Sequence, residues 1–263
     1  MADSTDAITK ARQTVSERAE LPGMSLMEHL DELRRRIIHS ALYLFVGFIV
    51  AYIFHERLYW FVQEPLDRLH IKLNYTHPMD PLNLYLQVSL IGGAILSSPF
   101  ILYQVWLFIA PGLYQKERRF VIPFMAATVG LFLLGAGFGY FYVLPGALKI
   151  LIVNFGSRFN PMVTIEEYTG FFLSIILGLG ISFELPILIF FLAMFGIVSP
   201  QFLWKNIRYA ILAVFLVAAI ITPSPDPWTM CIYAIPMLCL YLIGIGVAWW
   251  AHPSHRKARQ AAS

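Results

Sequence analysis

The chain has 263 residues, of which 58% are hydrophobic and only 13% are charged. A soluble domain carries about 25% charged residues, so this chain has too few polar side chains to cover a water-facing surface, and a soluble globular protein is excluded. The formal net charge is only +3 at pH 7, so the distribution of the charges along the chain is more informative than their sum.

Six apolar stretches follow one another along the chain. A helix needs about 20 apolar residues to cross the hydrocarbon of a bilayer, and only the fifth stretch is clearly short. We predict membrane-spanning helices within Ile37–Phe54, Leu82–Ile109, Phe120–Leu144, Tyr168–Val198, Tyr209–Pro225 and Trp228–Trp250. A proline interrupts four of them, the second, third, fourth and sixth, which predicts a curved, kinked bundle. These prolines are Pro99, Pro123, Pro186 and Pro236.

Basic residues are concentrated on one side of the predicted membrane domain. The segments on that side hold 14 of the 19 Lys and Arg residues, and they are residues 1–36, 111–119, 198–208 and 251–263. Loops rich in Lys and Arg stay in the cytoplasm. The predicted fold class is therefore an all-α integral membrane protein with six spans and both termini in the cytoplasm. A cytoplasmic tail of residues 1–27 precedes the membrane domain of residues 28–250, and a second tail follows in residues 251–263.

Two connections on the opposite, outer side carry a helical pattern of their own. In residues 55–69, and again in residues 146–156, apolar side chains recur at helical spacing. Such a pattern is typical of short amphipathic helices that lie on a membrane surface. An extension of the neighbouring spans beyond the membrane explains it equally well, and the sequence leaves both interpretations open.

Charged residues next to the spans form two motifs on the predicted cytoplasmic side. HLDELRRR, from His29 to Arg36, precedes the first span, and APGLYQKERR joins the second and third spans. A membrane-edge charge cluster explains both motifs, with Glu32 and Arg36 as an ordinary i,i+4 helix pair. Because Glu32 and Glu117 are expected at the same membrane level, the two carboxylates also suit guanidinium groups bound through paired hydrogen bonds.

Two further acidic residues stand out by their position. Glu184 is the one formal charge inside the predicted spans, and ionisable groups at that depth usually face a bundle interior or a wet cavity. A hydrogen-bonded Glu that only joins helices is the alternative. Asp226 lies in the proline-rich turn ITPSPDPW before the sixth span, where an N-cap explains it.

The usual motifs of enzymes are missing from the sequence. It contains no HExxH zinc motif, no GxSxG nucleophile elbow and no glycine-rich phosphate loop. We therefore predict neither an enzyme activity nor a cofactor or metal site, and no nucleic-acid partner.

Four motifs together resemble the TatC family, the large membrane subunit of the twin-arginine protein translocase. They are HLDELRRR, SSPFILYQVWLFIAPGLYQKERR, ISFELP in the fourth span and ITPSPDPW. The resemblance covers about residues 28–240 in the family's order and spacing. It implies a six-helix, cupped protein of the cytoplasmic (inner) membrane that recognises twin-arginine signal peptides on folded cargo. The family's partners TatA and TatB, self-association and a drive from the proton gradient are implied with it.

The resemblance also assigns residues to the signal-peptide site. Glu32, Arg34 and Glu117 match the family's cytoplasmic binding site, and Phe108 matches an aromatic residue next to it. One position departs from several relatives, because Asp31 places a second carboxylate beside Glu32. The sequence leaves open which of the two meets the arginine pair.

Three further residues match the family outside the signal-peptide site. Glu184 matches the polar residue of the family's fourth span, and Pro65 and Asp226 match outer-side positions that matter in relatives. A transporter for a small solute or ion is the alternative function. It would require several buried polar residues along a path, whereas Glu184 is the only formal charge in the spans.

Overall fold

The computed structural model describes residues 26–109, 121–222 and 227–251, and most of these residues are helical. The helices are α1 (Leu26–Ile53), α2 (His55–Asp67), α3 (Asp80–Ile109), α4 (Val121–Phe138), the π-helical segment π1 (Gly139–Val143), α5 (Leu144–Leu148), the second π-helical segment π2 (Lys149–Phe155), α6 (Ile165–Ser182), α7 (Leu185–Met194), α8 (Pro200–Lys205), α9 (Ile207–Ile221) and α10 (Pro227–Ala251). Within these residues the only pairing of β type is an isolated bridge between Asn74 and Thr164. The predicted all-α fold class is confirmed.

Among the described residues, five stretches of helix are apolar and long enough to cross a membrane. They are Met27–Ile53, Asp80–Phe108, Pro123–Phe155, Ile165–Met194 and Pro227–Trp250. The remaining apolar helix, α9, is the fifth in chain order and has 15 residues. It is about 22 Å long at 1.5 Å per residue, which is less than the ~30 Å of a hydrocarbon core. The chain is a multi-pass membrane protein, and its short fifth span was predicted.

The two connections that the sequence places on the outer side differ from each other. Residues 55–69 contain the separate helix α2, which follows a break at Phe54. Residues 146–156, in contrast, continue the third span through α5 and π2 to Phe155. For this second connection helix extension is the right interpretation and a surface helix is wrong. The physical reason is that Leu144, Ala147 and Leu148 are buried in the bundle core rather than on a membrane surface.

Prolines act differently in the different spans. Pro99 and Pro236 stand inside helices that continue past them, and Pro123 is the third residue of α4. Pro186 instead follows a true break, because α6 ends at Ser182 and α7 begins at Leu185. The predicted interruption of the helical path is therefore realised in the fourth span.

Helices α1 and α3 approach each other closely at two glycines. A Cβ atom on Gly93 would lie 2.6 Å from the backbone nitrogen of Phe48, and a Cβ atom on Gly47 would lie 2.7 Å from the carbonyl oxygen of Gly93. Only glycine allows such a distance, and small residues of this kind hold membrane helices together. The contact brings the two helices into register, so that their ends near Glu32 and Phe108 form one surface.

The apolar core has two parts, one towards each end of the bundle. The larger part joins α2 to α3, α5, α6, α9 and α10, and we call this the cap end. The smaller part lies at the end where α1 begins, around Trp106, Phe190 and Ala248. There the indole Nε1 of Trp106 donates a hydrogen bond to Oγ1 of Thr128 at 3.2 Å. The break at Phe183–Glu184 divides the fourth span between the two parts.

Candidate functional site

Glu32 lies in the second turn of α1 and is bound by an arginine one turn later. Nη2 of Arg36 donates to Oε1 of Glu32 at 3.0 Å. From Nη1 the same guanidinium donates to Oε1 of Gln104 in α3 at 3.1 Å. Three side chains therefore connect α1 with α3, and they fix the position of the Glu32 carboxylate relative to both helices.

The cluster of Glu32, Arg36 and Gln104 has unused hydrogen-bonding capacity. Oε2 of Glu32 and Nε of Arg36 are buried and have no hydrogen-bond partner within the described residues. The Glu32 side chain is only 15% exposed, so its free oxygen is poorly compensated by solvent. A buried acceptor without a partner is costly, and a guanidinium offers parallel donors that match a carboxylate. The site is chemically suited to one more cationic donor.

Phe108 lies beside a groove that begins at this cluster. The groove has a volume of about 450 Å³, and Arg36, Gln104 and Phe108 line it together with apolar side chains such as Leu44. The ring of Phe108 stacks on that of His29, with 4.5 Å between the ring centroids. A polar cluster is thus continuous with an apolar groove between α1 and α3.

Arg34 is not part of this groove. It is exposed and lines a separate depression of about 310 Å³ with Asp31, Arg35 and His39. Residues two apart on a helix do not face each other, which explains why Arg34 and Glu32 lie on different faces of α1. Of the two carboxylates that the sequence could not distinguish, only Glu32 belongs to the cluster with Arg36.

Two of the residues matched by resemblance, Glu117 and Asp226, lie outside the described residues. Conversely, Gln104 and His29 belong to the site although the sequence interpretation did not select them. The sequence contains one indication of Gln104, which is a polar residue in a span without charges, one helical turn before Phe108. In the structure it is buried.

Pro65 is buried in the last turn of α2 at the cap end. Proline has no backbone N–H, so the carbonyl of Phe61, four residues earlier, loses its helical donor. The hydroxyl of Tyr140 lies 2.9 Å from this Phe61 oxygen. In a similar contact the hydroxyl of Tyr168 donates to the carbonyl of Val62 at 2.6 Å. Two tyrosines from the third and fourth spans therefore attach α2 to the bundle where proline disturbs its own hydrogen bonds.

An ion pair lies beside this attachment. The Tyr140 hydroxyl is also 2.6 Å from Oε2 of Glu64, and Nη2 of Arg68 is 2.6 Å from Oε1 of the same carboxylate. The hydrogen bond from Tyr140 holds the pKa of Glu64 below its usual value, and Arg68 lowers this pKa further. Glu64 is therefore a charged acceptor at neutral pH.

We expect the Tyr140→Phe change to destabilise the cap end, because the Glu64 carboxylate and the Phe61 carbonyl share the one hydroxyl proton of Tyr140 and both lose it. The check is thermal unfolding of the purified protein in lipid nanodiscs. Tyr142→Phe is the matched control, because Tyr142 lies two residues further along, is largely exposed, and its hydroxyl contacts no group of the described chain. Equal unfolding temperatures for the two variants would contradict the role given to Tyr140.

Glu184 stands at the turn between α6 and α7. Its backbone N–H donates to the carbonyl of Ile181 at 3.0 Å, and the residue directly precedes α7 as its N-cap. Oε1 of the side chain is buried and has no hydrogen-bond partner in the described parts of the chain. The side chain is therefore an available polar group at mid-span, placed between the two parts of the core.

Comparison with protein families gives one match over most of the chain. The family model described as "Sec-independent protein translocase protein (TatC)" matches residues 28–236. These residues include the α1 cluster and Glu184.

Individual proteins agree with that match. A Sec-independent protein translocase protein TatC of Koribacter versatilis is 54% identical over 248 residues, which is 92% of this chain and 91% of that protein. The protein of the same name from Desulforapulum autotrophicum is 41% identical over 221 residues, or 83% of this chain and 82% of the relative. A solved structure described as "Crystal Structure of Twin Arginine Translocase Receptor- TatC" superposes with a TM-score of 0.78 at 36% identity, covering 85% of this chain and 99% of the other.

Proposed function

Because the chain belongs to the TatC family of Sec-independent protein translocase proteins and is a subunit of that translocase, we propose that its α1–α3 cluster is the site that binds the arginine pair of a signal peptide. The solved relative is described as a twin-arginine translocase receptor. In this proposal Glu32 and Glu117 accept hydrogen bonds from the two guanidinium groups, and Phe108 packs beside them.

The observation that carries the proposal is the unpaired oxygen of Glu32. The carboxylate is fixed by Arg36 on one oxygen, and its other oxygen has no hydrogen-bond partner within the described residues. An incoming guanidinium gains a charge-assisted hydrogen bond there without removing the bond to Arg36. The apolar groove below Arg36 and Gln104 offers a surface for the apolar part of a signal peptide. Arg34, on the other face of α1, contributes positive charge to the rim rather than a direct contact.

The remaining parts of the proposal concern partners and location. The protein works with other components of the translocase, and we assign these as the single-span subunits TatA and TatB, together with further copies of the chain. The membrane is the cytoplasmic membrane, with both termini on its inner side, in line with the distribution of Lys and Arg. Transport of folded cargo draws on the proton gradient.

Export of a folded reporter tests the function. Cells that lack their own receptor are given this chain and a fluorescent protein with a twin-arginine signal, and we expect the reporter to reach the outer side of the membrane. The matched control replaces the arginine pair of the signal with two lysines, which cannot form bidentate contacts with a carboxylate. Equal export of both reporters, or no export of either, would contradict the proposal.

A further inference from the structure

An apolar cavity lies under α2 at the cap end. Its volume is about 190 Å³, and it is bounded by α2, α3, α4, π1 and α6. Half of its wall residues are themselves buried in the bundle core, among them Val88, Ile91, Phe172 and Ile176. Cavities with walls of this kind stay free of water and take up apolar guests.

The cavity opens towards the membrane. Its wall also contains Phe61, Leu133 and Phe141, and all three are large apolar side chains with substantial exposure. Leu133 and Phe141 belong to the third span, so the medium at this opening is lipid hydrocarbon. A guest that enters from that side is therefore an apolar chain.

The ion pair of Glu64 and Arg68 lies next to the same cavity and is connected to its wall by a hydrogen bond from Tyr140. The ring of Tyr140 forms part of the cavity wall, its hydroxyl contacts Glu64, and Glu64 binds Arg68. The Arg68 side chain is 66% exposed. Arg68 uses Nε and Nη2 for Glu64, while its Nη1 contacts no acceptor within the described residues. An apolar chamber and an accessible ion pair are thus neighbours.

We propose that this cavity binds a phospholipid with an ethanolamine head group from the leaflet on the cap end. Part of one acyl chain fills the apolar chamber, the phosphate contacts the free edge of Arg68, and the ammonium group donates to Glu64. A guanidinium suits phosphate, and a carboxylate suits an ammonium donor. A head group with net negative charge is disfavoured by Glu64, and a choline head group has no N–H to donate.

Two glycine substitutions of the same helix provide the test. Gly137 lines the cavity, whereas Gly130 does not, and a Cβ atom on either residue would meet no atom within 4 Å. Gly137→Leu therefore fills the chamber without a backbone clash, and Gly130→Leu is the matched control. The protein is purified from membranes in mild detergent, and retained phosphatidylethanolamine is measured by native mass spectrometry.

We expect the original chain and Gly130→Leu to retain this lipid and Gly137→Leu to retain at least ten-fold less. Arg68→Gln should reduce retention several-fold because the phosphate loses its cationic partner, whereas Glu64→Gln should remove the preference over phosphatidylglycerol. Equal retention by the two glycine variants, or no retained lipid in the original chain, would overturn the proposal.

A second measurement needs no substitution. Phosphatidylethanolamine with a photoreactive group in its acyl chain is reconstituted with the original chain, and the labelled residues are mapped by mass spectrometry. Labelling of the buried residues Ile91 and Ile176 supports a chain inside the cavity, because lipid around the bundle cannot reach them. Labelling confined to exposed residues such as Phe141 would disprove the lipid site.

Discussion

Binding of a twin-arginine signal peptide should fall at least a hundred-fold when Glu32 and Glu117 are both replaced by alanine. A hydrogen bond to a charged group contributes about 1.5–3 kcal/mol, and each ~1.4 kcal/mol corresponds to a factor of ten in affinity. Each single variant is then expected to lose about ten-fold or more. Site-specific crosslinking of a twin-arginine peptide to membranes that contain each variant measures the effect.

The structure offers a matched control for this experiment. Asp31 is the carboxylate next to Glu32 in sequence, but it lines the separate depression with Arg34, so Asp31→Asn should bind the peptide normally. If Asp31→Asn loses binding and Glu32→Ala does not, the neighbouring carboxylate is the receptor of the arginine pair. Undiminished crosslinking in the double variant would show that neither Glu32 nor Glu117 holds the signal.

A subtler consequence concerns the residues that hold Glu32. Arg36 contacts both Glu32 and Gln104. Gln104 therefore helps to orient the Glu32 carboxylate through Arg36, although it lies 68 positions from Arg36 in the chain. The pair Glu32–Arg36 was visible in the sequence as an i,i+4 spacing, which is local information. The partner in α3 was not, because no periodicity relates two residues on different helices. It depends on the depth at which α1 and α3 cross, and that depth is set by the glycine contact at Gly47 and Gly93.

The same distinction explains what could be predicted of the fold. Spans are local properties, since about 20 apolar residues suffice to define one, and the order of the six apolar helices followed from hydropathy. Residues 146–156 required more, because an amphipathic pattern looks alike on a membrane surface and against a protein core. The burial of Leu148 against the bundle decided between them. Likewise, the attachment of Phe61 by Tyr140 spans 79 positions, and no property of either segment alone reveals it.

The other large effect is expected at Glu184, where replacement by leucine should reduce export ten-fold or more. A carboxylate in hydrocarbon costs several kcal/mol unless it is wet, paired or protonated. Pro186 has no N–H for the carbonyl of Ser182, and the helix is broken at that point. Irregular backbone at membrane depth is tolerated only where it is buried in protein or lines a water-filled cavity. We therefore expect Glu184 to face a groove that water reaches and that offers a polar contact to a partner's helix.

Export of the reporter and labelling of a cysteine at position 184 measure the two parts of this expectation. Glu184→Gln should retain most of the export, because an amide keeps a polar contact, and Ser182→Ala is the matched control, since the Ser182 hydroxyl donates only to the carbonyl of Gly178 in its own helix. Labelling requires that both native cysteines, Cys231 and Cys239, are first replaced. A water-soluble reagent should then modify position 184 from one side of the membrane, and the small subunits should protect it in part. If the cysteine is inert from both sides and Glu184→Leu exports normally, Glu184 is a structural residue of the fourth span and the groove does not exist.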